Sequence, residues 1–332
     1  MRSLLLVMLL ACGNKPAETK SDPVQAPVVV VTKSDKPDPW AGLAVPVKAA
    51  PVPGAVLTLT EKMELANQVC PAVTGPFFFT LTKAGHTAHI LGTRHISVGL
   101  AKFPPVVGDT LDHASQIVFE ISPDDTSNGV HKKEKLKQLL GDADWHHYEE
   151  LVGPDTAAGL EVGEPDVAAI SMLVLYEDIT NTLESQLQKR AREHGIQMTG
   201  LETSAFQDGV LSKLLDVRML KATIESTKDR AELQKQSGDD LREYCAGTDD
   251  SPGMDADDRA KMIKAGYTEA ELDSYDDILV YKRNADWIPK LDKIFLAKDN
   301  VFVAVGADHL IGPRGVIELM KKQGWEATRI SK

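Results

Sequence analysis

Four short apolar runs, each ending at or just before a histidine or a carboxylate, constrain the fold of this chain more than any other feature. The runs "AHILG" and "VFVAVG" lead into His95 and His309, and the runs "QIVFE" and "IQMTGLE" end at Glu120 and Glu202. The segments between them have helical patterns, so strands alternate with helices. This alternation predicts a mixed α/β fold, with a central β-sheet and helices packed on its faces.

The four polar residues are expected to share one edge of that sheet, because open α/β sheets bind ligands in the crevice at the carboxyl ends of their strands. Both histidines belong to a Gly-x-x-His motif, "GTRH" at 92–95 and "GADH" at 306–309. Glycine is expected there because it lets the chain turn sharply out of a strand without a Cβ clash. If the two strands are neighbours, His95 and His309 face each other.

Two imidazoles and a carboxylate are a common ligand set for a divalent metal ion. Glu120 lies on an otherwise apolar strand, where a lone carboxylate is costly unless it is paired or bound to metal. The sequence therefore predicts a divalent metal held by His95, His309 and Glu120. With one coordination position left open, such a metal can activate water.

Each of these residues also has a structural interpretation. His95 could cap a helix or meet a buried carbonyl, and Glu202 could cap the helix that follows it. Glu120 could form a buried ion pair with Arg94 or Arg283. The histidines and glutamates of "WHHYEE" at 145–150 have helical spacing, which favours a solvated helix face. The acidic loop "GTDDSPGMDADD" does not match the spacing of a calcium loop and is interpreted as solvated.

The net charge of −12 argues against a nucleic-acid partner, since phosphate binding requires a basic face. The N-terminal segment "MRSLLLVMLLAC" has one arginine, an apolar run and then Ala11-Cys12, which is typical of a short secretory signal. Its end resembles a bacterial lipobox, so residues 1–12 are interpreted as a lipoprotein signal with Cys12 as the lipidation site. The alternative is a buried N-terminal helix.

Residues 13–59 are rich in proline, which breaks helices and central strands, and are expected to form a disordered tether. A lipid-anchored globular domain would then span residues 60–332. Residue 13 is Gly rather than Asp, which by resemblance to sorted lipoproteins favours the outer membrane, with the domain facing the periplasm. In that oxidising compartment Cys70 and Cys245 either form a disulfide or remain two separate thiols.

Three segments together resemble the TraB/GumN family, also called TIKI-like and related to PrgY: "HILGTRHISVGLAKFPPVVGDTLDHASQIVFEI", "GLETSAFQ" and "YKRNADWIPKL…VFVAVGADHLIGPRGVIELMKKQGW". Their order and spacing match over roughly residues 61–332. The resemblance implies a fold similar to the erythromycin esterases and the haem-binding ChaN-like proteins. It also implies a metal-dependent peptidase that uses manganese or cobalt, with zinc as a further option.

The positions implied by the family motifs are His95, Glu120, Glu202, Arg283, Asn284 and His309. In this scheme Glu202 or Glu120 is the general base, Arg283 stabilises an oxyanion or binds a substrate carboxylate, and Asn284 adds a hydrogen bond. The substrate would be a peptide or a small amide or ester. Glu184 departs from the motif, because many members have Asp there. The alternative function is a non-catalytic envelope lipoprotein that binds haem, a metal or a peptide.

Overall fold

The computed structural model of the protein describes residues 52–129, 132–180, 182–248, 254 and 256–330. The predicted signal, Cys12 and the predicted tether up to residue 51 lie outside these ranges, as does most of the acidic loop after Thr248. No helix in the described ranges combines the length and apolar character needed to cross a bilayer.

Within the described residues, six strands form one mixed sheet in the order β4-β3-β5-β2-β1-β6. Strands β2 to β5 pair in parallel, whereas β1 is antiparallel to both β2 and β6. The predicted α/β class is therefore confirmed. The strands are β1 Phe78–Lys83, β2 His86–Thr93, β3 Gln116–Ile121, β4 Gln197–Glu202, β5 Val301–Gly306 and β6 Glu326–Arg329.

The centre of the sheet is its most apolar part. Every residue of β5 is buried, as expected for a parallel strand covered on both faces. At the other side, β1 and β2 form the predicted hairpin, whose turn residues Ala84 and Gly85 have positive φ values of 50° and 87°. Such values fit the right-handed twist of a two-residue hairpin turn.

Helices pack on the sheet and also form the long insertions between its strands. Those that share the main apolar core with the sheet are α1 Leu59–Val69, α2 Pro105–Asp112, α7 Leu183–Glu193, α10 Arg230–Ala246, α13 Lys282–Ala297 and α14 Val316–Lys322. The remaining helices of the described chain are α3 Leu136–Leu140, α4 Asp142–Val152, α5 Pro154–Gly159, α6 Pro165–Leu173, α8 Ser204–Leu214, α9 Val217–Ser226, α11 Ala256–Lys264 and α12 Glu269–Asp276. They are built around two smaller apolar clusters.

The starts of two helices near the sheet, α13 and α8, place residues of the candidate site. A π-helical turn, Asp277–Tyr281, joins α12 to α13 and places Arg283 in the first turn of α13. Such turns occur often at functional positions. Helix α8 starts directly after β4, and its N-cap Thr203 accepts a hydrogen bond from the backbone N–H of Phe206.

The glycines of the two Gly-x-x-His motifs do not make the sharp turn that the sequence suggested. Gly92 is absent from the positive-φ positions, and Gly306 has φ −53° and ψ 141°, which any residue can adopt. Gly92 is instead needed for close packing, because a Cβ atom there would lie 2.8 Å from the Cβ of Phe77 and 3.0 Å from the Cα of Ala307. Gly92 therefore avoids a Cβ clash, as predicted, but the clash comes from packing and not from a left-handed turn.

Cys70, at the end of α1, and Cys245, in the last turn of α10, form a disulfide across 175 residues. Of the two alternatives left by the sequence, the structure has the disulfide. The last residues of the predicted tether also contact the domain. Leu57 is buried, Gly54 N–H donates to Gln234, and the carbonyl of Ala55 accepts from the Tyr176 hydroxyl.

Candidate functional site

The sheet brings the two Gly-x-x-His motifs together. Strands β2 and β5 are parallel neighbours, with Thr93 opposite Gly306, so both motifs leave the sheet side by side. On the other side of β5, β3 pairs with β4, and Ile121 lies opposite Glu202. The carboxyl ends of these four parallel strands form one edge, as predicted, and His95, Glu120, Glu202 and His309 lie along it.

A single buried guanidinium joins three of these residues. Arg283 Nη2 contacts Glu120 Oε2 at 2.7 Å and also Glu202 Oε1, and its Nε donates to Glu202 Oε2 at 3.1 Å. Its Nη1 donates to the carbonyl of Leu279 at 3.0 Å and lies 3.1 Å from His309 Nε2. A guanidinium has five N–H donors, and these contacts use all five. Arg283 therefore anchors the carboxylates and has no donor left for a substrate.

The pKa values of the two carboxylates in this cluster are shifted in opposite directions. For Glu120, burial alone would raise the pKa, but the charge of Arg283 and the two histidines, with a 2.7 Å hydrogen bond from Gly306 N–H, lowers it to about 2. For Glu202, burial outweighs Arg283 and raises the pKa above its usual value. Glu120 is thus the ionised partner of Arg283, and Glu202 is the carboxyl of this pair that is more easily protonated.

The hydrogen bonds around His309 fix its tautomer. Asn284 uses its amide N–H groups on the carbonyls of His309 and Arg314, so its oxygen accepts from His309 Nδ1 at 2.6 Å. The lone pair of Nε2 then faces Arg283, and burial together with that guanidinium lowers the pKa of His309 to about 3. The ring also lies 4.4 Å from the ring of Trp287. His309 is therefore a neutral imidazole with a directed Nε2 lone pair.

His95 differs from the other residues of the edge, because one of its ring nitrogens has no partner. Its Nδ1 lies 2.6 Å from Glu184 Oε1, which also accepts from the Thr93 hydroxyl. Its Nε2 is buried and makes no hydrogen bond with any described residue. Burial lowers the pKa of His95, but the charge and hydrogen bond of Glu184, with the charge of Glu120, outweigh it and raise the pKa. Glu184 therefore orients a basic imidazole.

Sequence reasoning missed two side chains that complete the Arg283 cluster. Gln207 donates to Glu120 at 3.1 Å and to Glu202 at 3.4 Å, and the indole N–H of Trp287 donates to Glu202 at 3.2 Å. Trp287 could have been found, since it lies one helical turn after Arg283 in the quoted "RNADW" segment. Gln207 belongs to "GLETSAFQ", but no spacing rule relates it to Glu120.

A second buried network holds the loop that carries His95. Arg94 pairs with Glu177 at 2.8 Å, and Ser97 donates to the same carboxylate. On the other side of the motif, the hydroxyl of Tyr244 donates to the carbonyl of Gly92 at 2.9 Å. The His95 loop is thus held at both ends by residues from the helical insertions.

Only some of the structural roles that the sequence allowed for these residues occur in the structure. Glu120 forms its buried ion pair with Arg283, since Arg94 is taken by Glu177. Glu202 does not cap α8, because Thr203 does, and His95 Nδ1 meets a carboxylate rather than a carbonyl. The "WHHYEE" segment lies in α4, where His146 is 73% exposed, in agreement with a largely solvated face.

The types of donor atom at this edge suit a divalent metal, but the present distances between those atoms do not. Glu120 is ionised and His309 is neutral, which are the protonation states that ligands need, whereas His95, whose Nε2 has no partner, has a raised pKa and must lose a proton to bind a metal. Glu120 Oε1 and His309 Nε2 are 3.9 Å apart, against roughly 3.4 Å for two ligands of a tetrahedral ion. Among the described residues, however, no three His, Cys, Asp or Glu side chains converge closely enough to hold a metal as they stand.

The buried imidazole of His309 predicts a pH-dependent stability of the metal-free protein. Its pKa is about 3 in the fold against 6.5 for the free side chain, so below pH 6.5 the unfolded chain binds a proton that the fold does not. Stability is therefore present above pH 6.5 and lost as pH falls toward 3, by several kcal/mol at about 1.4 kcal/mol per pKa unit. Urea titrations at pH 7, 5.5 and 4 should show a shallower pH dependence in His309→Gln. The exposed-histidine control His146→Gln should keep the wild-type slope, and a wild-type slope in His309→Gln would contradict the assignment.

The fold and this edge define a class: an α/β protein whose parallel strands gather two histidines and several carboxylates at their carboxyl ends. The model of the TraB/PrgY/gumN family matches residues 77–329, which cover both motifs and all six strands. The chain belongs to this family, as the sequence motifs indicated. No match was found among the curated proteins or among the solved structures.

Proposed function

We propose that the protein is a hydrolase that cleaves amide or ester bonds, with peptides as the first substrate class to test. One observation carries the proposal: His95 Nε2 is buried without a hydrogen-bond partner while Nδ1 is fixed by Glu184. A carboxylate on Nδ1 and a free Nε2 are the arrangement by which histidine accepts a proton from a nucleophile. Membership of the TraB/PrgY/gumN family supports the proposal through the shared motifs.

The roles of the other residues follow from their contacts. Glu184 orients His95 and stabilises the imidazolium that forms when Nε2 takes a proton from water. Arg283 holds Glu120 ionised, and Asn284 holds His309 in its Nδ1–H tautomer. Without a metal, we therefore assign the proton transfer to His95 rather than to Glu120 or Glu202, whose oxygens already accept hydrogen bonds from Arg283.

We further propose that a divalent metal, manganese or cobalt with zinc as the next candidate, is the resident cofactor, held by His95, His309 and Glu120. His95 would bind it through Nε2, so that nitrogen could not also take the proton, and the raised pKa of Glu202 would make its carboxylate the base for the coordinated water. When bound, the metal would lower the pKa of a coordinated water. His309 has one Nε2 lone pair, which now faces Arg283 Nη1, so this contact must open when the ligand set assembles.

His95→Ala tests the proposed function directly. We expect kcat/KM against peptide and p-nitrophenyl ester substrates to fall by about 10²–10⁴-fold, the usual contribution of a positioned base. Glu184→Gln should give an intermediate loss and a shifted pH profile, and His146→Ala should be unaffected. Elemental analysis of the same samples should show less bound metal in His95→Ala. Unchanged hydrolysis in that variant would refute the mechanism.

We also propose a localisation: the protein is an envelope lipoprotein that is anchored through Cys12 and faces the periplasm from the outer membrane. The Cys70–Cys245 disulfide supports an oxidising compartment. Fractionation of cells that express Cys12→Ser should move the protein from the membrane pellet to the soluble periplasmic fraction. Retention of the variant in the pellet would refute the anchor.

A further inference from the structure

A cleft of about 390 Å³ lies between the start of the described chain, the junction of α4 and α5 and the start of α10. None of its lining residues belongs to the site described above. Leu57, Val152 and Leu175 form apolar parts of its wall, and Lys62 and Arg230 supply positive charge. Its volume is within the range of small-molecule sites, about 300–1,000 Å³.

The two cations of this cleft are not neutralised by the described protein. Neither Lys62 nor Arg230 has a carboxylate partner within 4 Å among the described residues, although Asp155 also lines the cleft. Arg230 donates its Nε to the carbonyl of Leu151 at 2.8 Å, and no described residue accepts a hydrogen bond from its terminal nitrogens. The wall therefore presents guanidinium N–H groups in a fixed position.

The charged form of the Lys62 amine is destabilised in this cleft. Burial lowers the pKa of its amine, and the charges of Glu177 and Asp178 offset this only in part without forming an ion pair. Glu177 is already paired with Arg94, and Asp178 accepts from the backbone and hydroxyl of Thr180. An ammonium that is partly removed from water and lacks a direct counter-ion is stabilised by any anion that enters the cleft.

The apolar wall restricts which anion fits. Val56, which also lines the cleft, is 76% exposed, so a ligand that covers it would need an apolar body next to its charge. Inorganic phosphate would satisfy the cations but would leave this wall in contact with water. A carboxylate with a short aliphatic chain satisfies both, since its oxygens form charge-assisted hydrogen bonds and its chain buries the wall.

We propose that this cleft is a binding site for a small organic carboxylate, with the oxygens on Lys62 and Arg230 and the aliphatic body against Val56. This site is separate from the candidate hydrolytic centre and does not depend on the function proposed for it.

Isothermal titration of the purified full-length protein with hexanoate tests the proposal. We expect saturable binding that Lys62→Met weakens at least tenfold, because methionine keeps the apolar stem and removes the charge. Lys235→Met is the matched control, since Lys235 is 72% exposed on α10 and pairs with Asp239. Its affinity should equal that of the wild type.

Three outcomes would overturn the proposal: no saturable hexanoate binding, equal affinity in Lys62→Met, or inorganic phosphate binding as tightly as hexanoate. Arg230→Met should also weaken binding, but it removes the hydrogen bond to Leu151, so its melting temperature must be measured alongside. Lys62→Met makes no such structural demand, because no described hydrogen bond involves its amine.

Discussion

Replacing Arg283 by methionine is expected to destabilise the protein by about 3–5 kcal/mol, the usual effect of leaving a buried charge without its partner. The side chain is 1% exposed and pairs with Glu120 and Glu202, which are 8% and 5% exposed. Its removal leaves two carboxylates in the interior with only neutral donors. The free energy of unfolding, measured by urea titration at pH 7, should fall by this amount.

Two comparisons separate the lost charge from other effects of this substitution. Lys293→Met removes a charge from the exposed face of the same helix and should change stability by less than about 0.5 kcal/mol. The Arg283→Met variant should recover relative to the wild type as pH falls from 7 toward 4.5, because without the guanidinium burial raises the pKa of both carboxyls above the 4.5 of the unfolded chain. A deficit that does not change with pH would show that packing, not charge, explains the loss.

Removing the disulfide is the second large effect that we expect. Cys70→Ala/Cys245→Ala should lower the free energy of unfolding by about 2–5 kcal/mol, because the bond closes a loop of 175 residues in the unfolded chain. The folded chain also depends on this end of α10, because the carbonyl of Cys245 accepts hydrogen bonds from the backbone N–H groups of Thr74 and Gly75. Thermal unfolding of wild type and variant gives the comparison.

Reducing agent provides the internal control for the disulfide. Dithiothreitol should lower the melting temperature of the wild type to near that of the double variant. It should leave the double variant unchanged, since that variant retains only Cys12. If the oxidised wild type and the double variant unfold at the same temperature, the bond has no measurable role in stability.

The sheet and its polar edge could be predicted from the sequence because both depend on local patterns. Apolar runs such as "VFVAVG" indicate buried strands, and a polar residue at the end of such a run must lie at the carboxyl edge. The pairing of β2 with β5 was only a condition in the sequence analysis, and the structure meets it. These inferences required no knowledge of how distant side chains pack.

The connections within the site could not be predicted, because they join residues that no local pattern relates. Two arginines could have paired with Glu120, and the choice depends on Glu177, which lies 83 residues from Arg94 and already binds it. Likewise, nothing in "YKRNADW" indicates that every donor of Arg283 is used. The role of Gly92 was misjudged because its neighbour Phe77 is brought close only by the hairpin.

The place of β5 in the sheet has a consequence for the order in which this protein can fold during synthesis. β5 lies between β2 and β3, yet it begins only at Val301, so its two neighbours are made long before the strand that joins them. Until then, β2 and β3 each have an unpaired edge, and such edges favour association with other chains. The candidate site, which needs both histidine loops, can therefore form only after His309 has been synthesised.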